Sequence, residues 1–89
     1  LIRRRLTIRN RLGLHARAAA RFVHTASAFR SKVTVARGEK VVDGKSILGL
    51  LLLAAAQGAE IEIVADGGDE GAAVEALFAL VEGGFGEEA

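Results

Sequence analysis

Gly13-Leu14-His15-Ala16-Arg17 sets an imidazole two residues ahead of a guanidinium, at the junction of a strand-like segment and a helix-like one. A helix begins with backbone N–H groups that have no partner inside it, and its dipole adds partial positive charge at that end. An imidazole at that point has an anion site beside it. It can carry a phosphoryl group on a ring nitrogen while the backbone N–H groups of Ala16 and Arg17 and the Arg17 guanidinium hold the phosphoryl oxygens. A histidine that opens a helix also serves as a cap or as an ordinary surface residue, and a lone histidine does not separate these uses. Other chemistries lack their residues. With only His15 and His24 and no cysteine, a zinc site would need carboxylates at unsupported spacing. No Gly-x-Ser-x-Gly elbow and no Walker-type loop is present. No metal or cofactor is expected.

Presenting His15 in this way requires a strand before it and a helix after it. Residues 2–9 alternate, with Ile2, Leu6 and Ile8 inward and Arg4 on the inward face near the strand's end. Residues 10–14 read as a loop. Residues 16–29 carry Ala19, Phe22, Val23, Ala26 and Phe29 at helical spacing, an amphipathic helix. Residues 32–37 and 39–42 are two strands around Gly38, a hairpin. Residues 46–57 predict a second helix stopped by Gly58. Residues 60–65 alternate again, with Ile61 and Ile63 inward, and Asp66-Gly67-Gly68-Asp69 is a turn that starts a third helix running to about Glu82. The order is βαββαβα. Three amphipathic helices need a surface on which to bury their stripes, so the class is α+β. The expected architecture is an open-faced sandwich, a small antiparallel sheet covered on one face by three helices, forming a single domain over residues 1–89.

Composition is consistent with that size. A hydrophobic fraction of 51% with 26% charged residues belongs to a globular chain and not a disordered one. The absence of cysteine excludes disulfides and thiolate chemistry. The longest apolar stretch, residues 50–56, is far short of the roughly 20 residues of a membrane span. A cytoplasmic protein without membrane contact is expected. All 12 Lys and Arg fall in residues 1–45 with two acids, Glu39 and Asp43, a balance of +10; residues 46–89 hold the other nine acids and no Lys or Arg, a balance of −9. Such asymmetry suits a basic arm for nucleic acid, or two halves that interleave in space and neutralise each other. Arg3, Arg5 and Arg9 alternate on the first strand and Glu60 and Glu62 on the last. Pairing those strands would set opposite charges across a solvated sheet face.

The middle helix is apolar nearly all round, through Ile47, Leu48, Leu50, Leu51, Leu52 and Leu53. With Leu50, Leu53 and Ala54 toward the sheet, Ile47, Leu48 and Leu51 would form an exposed apolar cluster of the kind that marks a docking surface. The alternative is a helix wedged between its neighbours and wholly buried. Ser46 precedes this helix and fits an N-cap, or a phosphorylation site whose dianion would alter the docking surface. His24 follows Arg17 by two helical turns, and with Arg21 it flanks that surface or is simply an exposed helix residue.

Gly13-Leu14-His15-Ala16-Arg17, then Phe22-Val23, then Lys45-Ser46-Ile47-Leu48-Gly49-Leu50, and the ending Gly84-Phe85-Gly86-Glu87-Glu88 together resemble the HPr family. These are the histidine phosphocarriers of bacterial phosphotransferase systems. The likeness spans essentially the whole chain. It implies four antiparallel strands with three helices. It also implies that His15 accepts phosphate on Nδ1 from enzyme I, charged by phosphoenolpyruvate, and passes it to an A-type domain of an enzyme II. Arg17 would be the supporting arginine, Ser46 the regulatory serine of an HPr serine kinase, and Ile47, Leu48 and Leu51 the docking hydrophobes. One position departs from the family pattern: Ala18 stands where proline is common. As the third helical residue it restores an N–H that proline lacks, so anion binding should survive. Alanine here is similar to branches devoted to regulation, including nitrogen-related ones, which weakens sugar transport as the role.

Two other classes remain open. A small sheet with helices on one face can bind RNA, but there is no Trp or Tyr and the four Phe lie off the strands where bases would stack. A purely regulatory adaptor would use the same surface, with His15 or Ser46 phosphorylation changing its partners. A carrier that shows one face to several partners is most simply a monomer.

Overall fold

The computed structural model describes residues 1–87. Its elements run β1 (Ile2–Thr7), α1 (Ala16–Ser27), β2 (Lys32–Arg37), β3 (Lys40–Asp43), α2 (Ile47–Leu52), β4 (Glu60–Asp66) and α3 (Glu70–Glu82), closed by a 3-10 turn at Gly84–Gly86. The four strands form one antiparallel sheet in the order β1-β4-β2-β3. Period-two alternation then decides its faces. Leu6 lies opposite Ile61, Val35 opposite Ile63 and Val33 opposite Ala65, and all six are buried beneath the helices. The expected open-faced α+β sandwich is the observed fold.

The outer face carries the charges. Arg5 stands opposite Glu62, and both Arg3 (3.7 Å) and Arg5 (4.0 Å) approach its carboxylate. Arg9 lies past the end of β1 and turns instead to Glu82 at 3.3 Å, so the expected arginine row stops at two members. The basic and acidic halves do interleave. Arg4 sits on the inward side at half burial, its guanidinium 4.5 Å from the centre of the Phe78 ring and bonded to Glu75 at 3.2 Å.

α1 buries Ala18, Ala19, Phe22 and Ala26, with Val23 and Phe29 half-buried beside them. Ala18 is 0% exposed, so this first-turn position of the helix lies in the core. α2 departs from the sequence expectation. It covers only Ile47–Leu52, and Ala54 turns left-handed (φ 50°) and points to solvent, not to the sheet. The reason is tertiary. Ala55 is buried and its C=O accepts the Leu14 N–H at 2.8 Å, which ties the chain after α2 to the loop before His15. That contact is close enough to require a glycine: a Cβ on Gly13 (φ +69°) would come within 2.6 Å of the Ala55 carbonyl oxygen.

Asp69 precedes α3 but does not cap it. Its carboxylate accepts the N–H groups of Arg30 (2.8 Å) and Ser31 (2.9 Å) and the Ser31 hydroxyl, joining the entry to β2 to the entry to α3. The Ser31 hydroxyl and these N–H groups hold its carboxyl down at about 2. Among the described residues no helix is long and apolar enough to cross a membrane.

Candidate functional site

The loop that leads into α1 is fastened before it reaches His15. Ile8 exchanges backbone bonds with Gly58 and Ala59, at 2.8 and 2.9 Å. Asn10, 1% exposed, donates its side-chain N–H to the Gly13 C=O at 2.7 Å, and Leu14 is buried. The chain therefore arrives at His15 with no slack. His15 is extended (φ −79°, ψ −179°), its C=O accepts the Ala19 N–H at 2.8 Å, and α1 starts on the next residue. This is the N-cap geometry the sequence implied.

The imidazole itself acts as the cap. The Arg17 N–H donates to His15 Nδ1 at 3.3 Å, so Nδ1 presents its lone pair and the ring proton of the neutral form lies on Nε2. Nε2 faces Glu87 Oε2 at 2.6 Å. The His15 side chain is 27% exposed. With Arg11, Leu12, Ala16, Arg17 and Glu87 it lines an open hollow of about 630 Å³. A nucleophilic nitrogen at a helix N-terminus, beside an exposed guanidinium, can accept an electrophilic phosphorus and shield its oxygens.

Glu87 returns to His15 from 72 residues away through an unusual turn. Gly84 (φ 63°), Phe85 (φ 59°) and Gly86 (φ 75°) are all left-handed, which reverses the chain after α3. Phe85 tolerates this because its ring is buried and its C=O accepts the Arg21 guanidinium N–H. The Asn10 side-chain N–H donates to Glu87 Oε1 at 2.9 Å. That amide, then the neighbouring His15, with Arg21 adding, keeps the Glu87 carboxyl below the usual carboxylate range against the opposing effect of burial. Asn10 and Glu87 are the residues sequence reasoning missed. The ending 84–88 carried a resemblance but no role, and Glu88 lies outside the described residues.

A family model described as the PTS HPr component phosphorylation site matches residues 2–83. The chain belongs to the HPr family of phosphotransferase-system phosphocarriers. It is 49% identical over 87 residues, 98% of both chains, to the phosphocarrier protein HPr of Neisseria meningitidis serogroup A. Among solved structures, HPr-C-His from Thermoanaerobacter tengcongensis matches with a TM-score of 0.96 at 44% identity, covering 100% of each chain. An HPr dimer from the same organism matches with a TM-score of 0.79 at 46% identity, covering 92% of this chain and 94% of that one.

Along α2, Ile47 (42% exposed), Leu48 (68%) and Leu51 (37%) lie open to solvent while Leu50 and Leu53 are buried. α2 is thus not wedged on all sides, and Leu52, 61% exposed, enlarges the patch beyond the three expected residues. Ser46 caps α2, its Oγ accepting the Gly49 N–H at 3.0 Å. Arg17, Arg21 and His24 are exposed along α1, which packs against α2.

Proposed function

We propose that His15 carries a phosphoryl group on Nδ1, receiving it from phospho-enzyme I and delivering it to an A-type domain of an enzyme II. The observation that supports this most is the pairing of a lone pair on Nδ1 with the N-terminus of α1 in the hollow shared with Arg17. The Nδ1 lone pair forms a bond to phosphorus as the bond from phosphorus to the donor breaks with its electrons. On delivery the N–P bond breaks and its pair returns to Nδ1. The transition state is largely dissociative, so alignment and charge stabilisation suffice. The backbone N–H groups of Ala16 and Arg17 and the Arg17 guanidinium would hold the phosphoryl oxygens, the Arg17 N–H exchanging its bond to Nδ1 for one to oxygen.

Docking is assigned to Ile47, Leu48 and Leu51, with Arg21 and His24 at its edge, a desolvatable apolar centre with a polar rim. Phosphorylation of Ser46 would set a dianion beside Ile47 and Leu48, weakening docking on an apolar or acidic partner. A carrier that shows one face to several partners acts most simply as a monomer, and the monomer is the state proposed.

Incubation with enzyme I, magnesium and phosphoenolpyruvate, followed by intact mass, tests this reading. The wild type should gain one acid-labile phosphate that His15→Ala lacks. No phosphate on the wild type, with an established carrier labelled in parallel, would overturn it.

A further inference from the structure

We propose that Glu87, backed by Asn10, is a positioning residue that fixes which ring nitrogen of His15 is free to react, an inference that rests on the carrier reading above. A neutral imidazole divides between two tautomers, and attack through Nδ1 requires the one with its proton on Nε2. The Arg17 N–H favours that tautomer only through a long 3.3 Å bond, and this donor has the phosphoryl oxygens as its other partner. Glu87 acts on the opposite nitrogen. An ionised carboxylate only accepts, so Oε2 at 2.6 Å from Nε2 demands a proton there, and at 16% exposure it has little water to turn to.

Asn10 fixes the carboxylate in turn. Its two amide hydrogens go to the Gly13 C=O and to Glu87 Oε1, so its orientation is set: the flipped amide would face two acceptors with an oxygen. Its Oδ1 is buried without a partner among the described residues. The side chain is thus held by its donors alone, at the expense of its own acceptor. Arg21, anchored on the Phe85 C=O, fixes the turn that brings Glu87 back.

The consequence is carriage without proton exchange. As the Nδ1–P bond forms and the donor's bond to phosphorus breaks, the ring takes positive charge and keeps its Nε2 proton facing Glu87. On delivery the electron pair returns to Nδ1, and the same proton is still in place. No base has to be found in either half-reaction.

The test uses the full chain with 15N-labelled histidine, read by long-range proton–nitrogen spectra at pH 8 and by the rate of phosphorylation. In the wild type, His15 Nε2 should appear as a proton-bearing nitrogen and Nδ1 as a lone-pair nitrogen. In Glu87→Ala the two signals should move toward each other and the rate fall about tenfold, the scale seen when an orienting partner of a functional histidine is lost. Glu87→Gln has one acceptor for two donors. With its oxygen on the Asn10 N–H its NH2 faces Nε2, so the proton should move toward Nδ1 and the rate fall at least as far as in Glu87→Ala. Unchanged ring signals or an unchanged rate in Glu87→Ala, or both nitrogens protonated in the wild type, would overturn the proposal. A tautomer that shifts in Glu87→Ala while the wild type takes no phosphate would uphold the positioning and overturn the carrier reading instead. Glu87 follows the last helix, so these variants leave the core untouched.

Discussion

The starts of α1 and α2 are built alike and differ in what the capping atom is left free to do. Ser46 Oγ accepts the Gly49 N–H at 3.0 Å, three residues on, and that bond satisfies the helix end. His15 Nδ1 accepts the Arg17 N–H at 3.3 Å, two residues on, a longer bond made with a softer atom. Ser46 is fastened by its own helix. His15 is fastened from outside, by Glu87 on Nε2 and by a loop tied down through Asn10, Gly13 and Leu14. A cap that serves stability closes on its helix, whereas one that serves chemistry is oriented by other elements and keeps an atom in reserve.

The largest effect that would break this comparison is His15→Ala. It should abolish acid-labile phosphate while unfolding free energy, followed by urea denaturation, falls by no more than about 1 kcal/mol. Comparable losses of stability at His15 and of transfer at Ser46 would mean the two caps are not different in kind. Arg17→Ala comes next. Loss of one donor from a charge-stabilising site should slow phosphoryl transfer on the order of 100-fold, measured by rapid quench, with the unfolding midpoint unchanged. On the α2 side, Leu50→Ala removes the buried anchor of the exposed patch and should cost about 2–5 kcal/mol. Ser46→Ala should cost about 1 kcal/mol and leave the rate of phosphorylation of His15 near wild type.

The start of α3 sharpens the contrast, since Asp69 there caps neither for stability of its own helix nor for chemistry. Its folded-state carboxyl is held down at about 2, below the usual carboxylate range, by the Ser31 hydroxyl and the Arg30 and Ser31 N–H groups. The stability it contributes is therefore complete above the ordinary carboxylate range and is lost as pH falls from about 4 toward 2. Thermal unfolding between those values should show a smaller decline in Asp69→Asn than in the wild type.

How far this was legible depended on the range of the contact. Strand alternation placed Leu6, Ile8, Ile61 and Ile63 inward, and all four are buried, because a period of two records burial residue by residue. The His15 cap and the exposed trio Ile47, Leu48 and Leu51 were each among the readings that local spacing allowed, and the fold decides between them. The end of α2 was not legible. Leu53-Ala54-Ala55-Ala56 are helix formers, and bonds across the fold, Leu14 to Ala55 and Ile8 to Gly58 and Ala59, hold the chain out of the helix. Glu87 was less legible still, since no spacing links it to a residue 72 positions earlier. The turn that delivers it needs a left-handed Phe85, which sequence propensity disfavours.

The most direct test of the central claim is nitrogen–phosphorus coupling in the phosphorylated, 15N-histidine-labelled protein. The account predicts a one-bond coupling to phosphorus at His15 Nδ1 and a retained proton on Nε2. Coupling at Nε2, with the proton on Nδ1, would mean that the phosphoryl group sits on the Glu87 side of the ring, and would contradict the account.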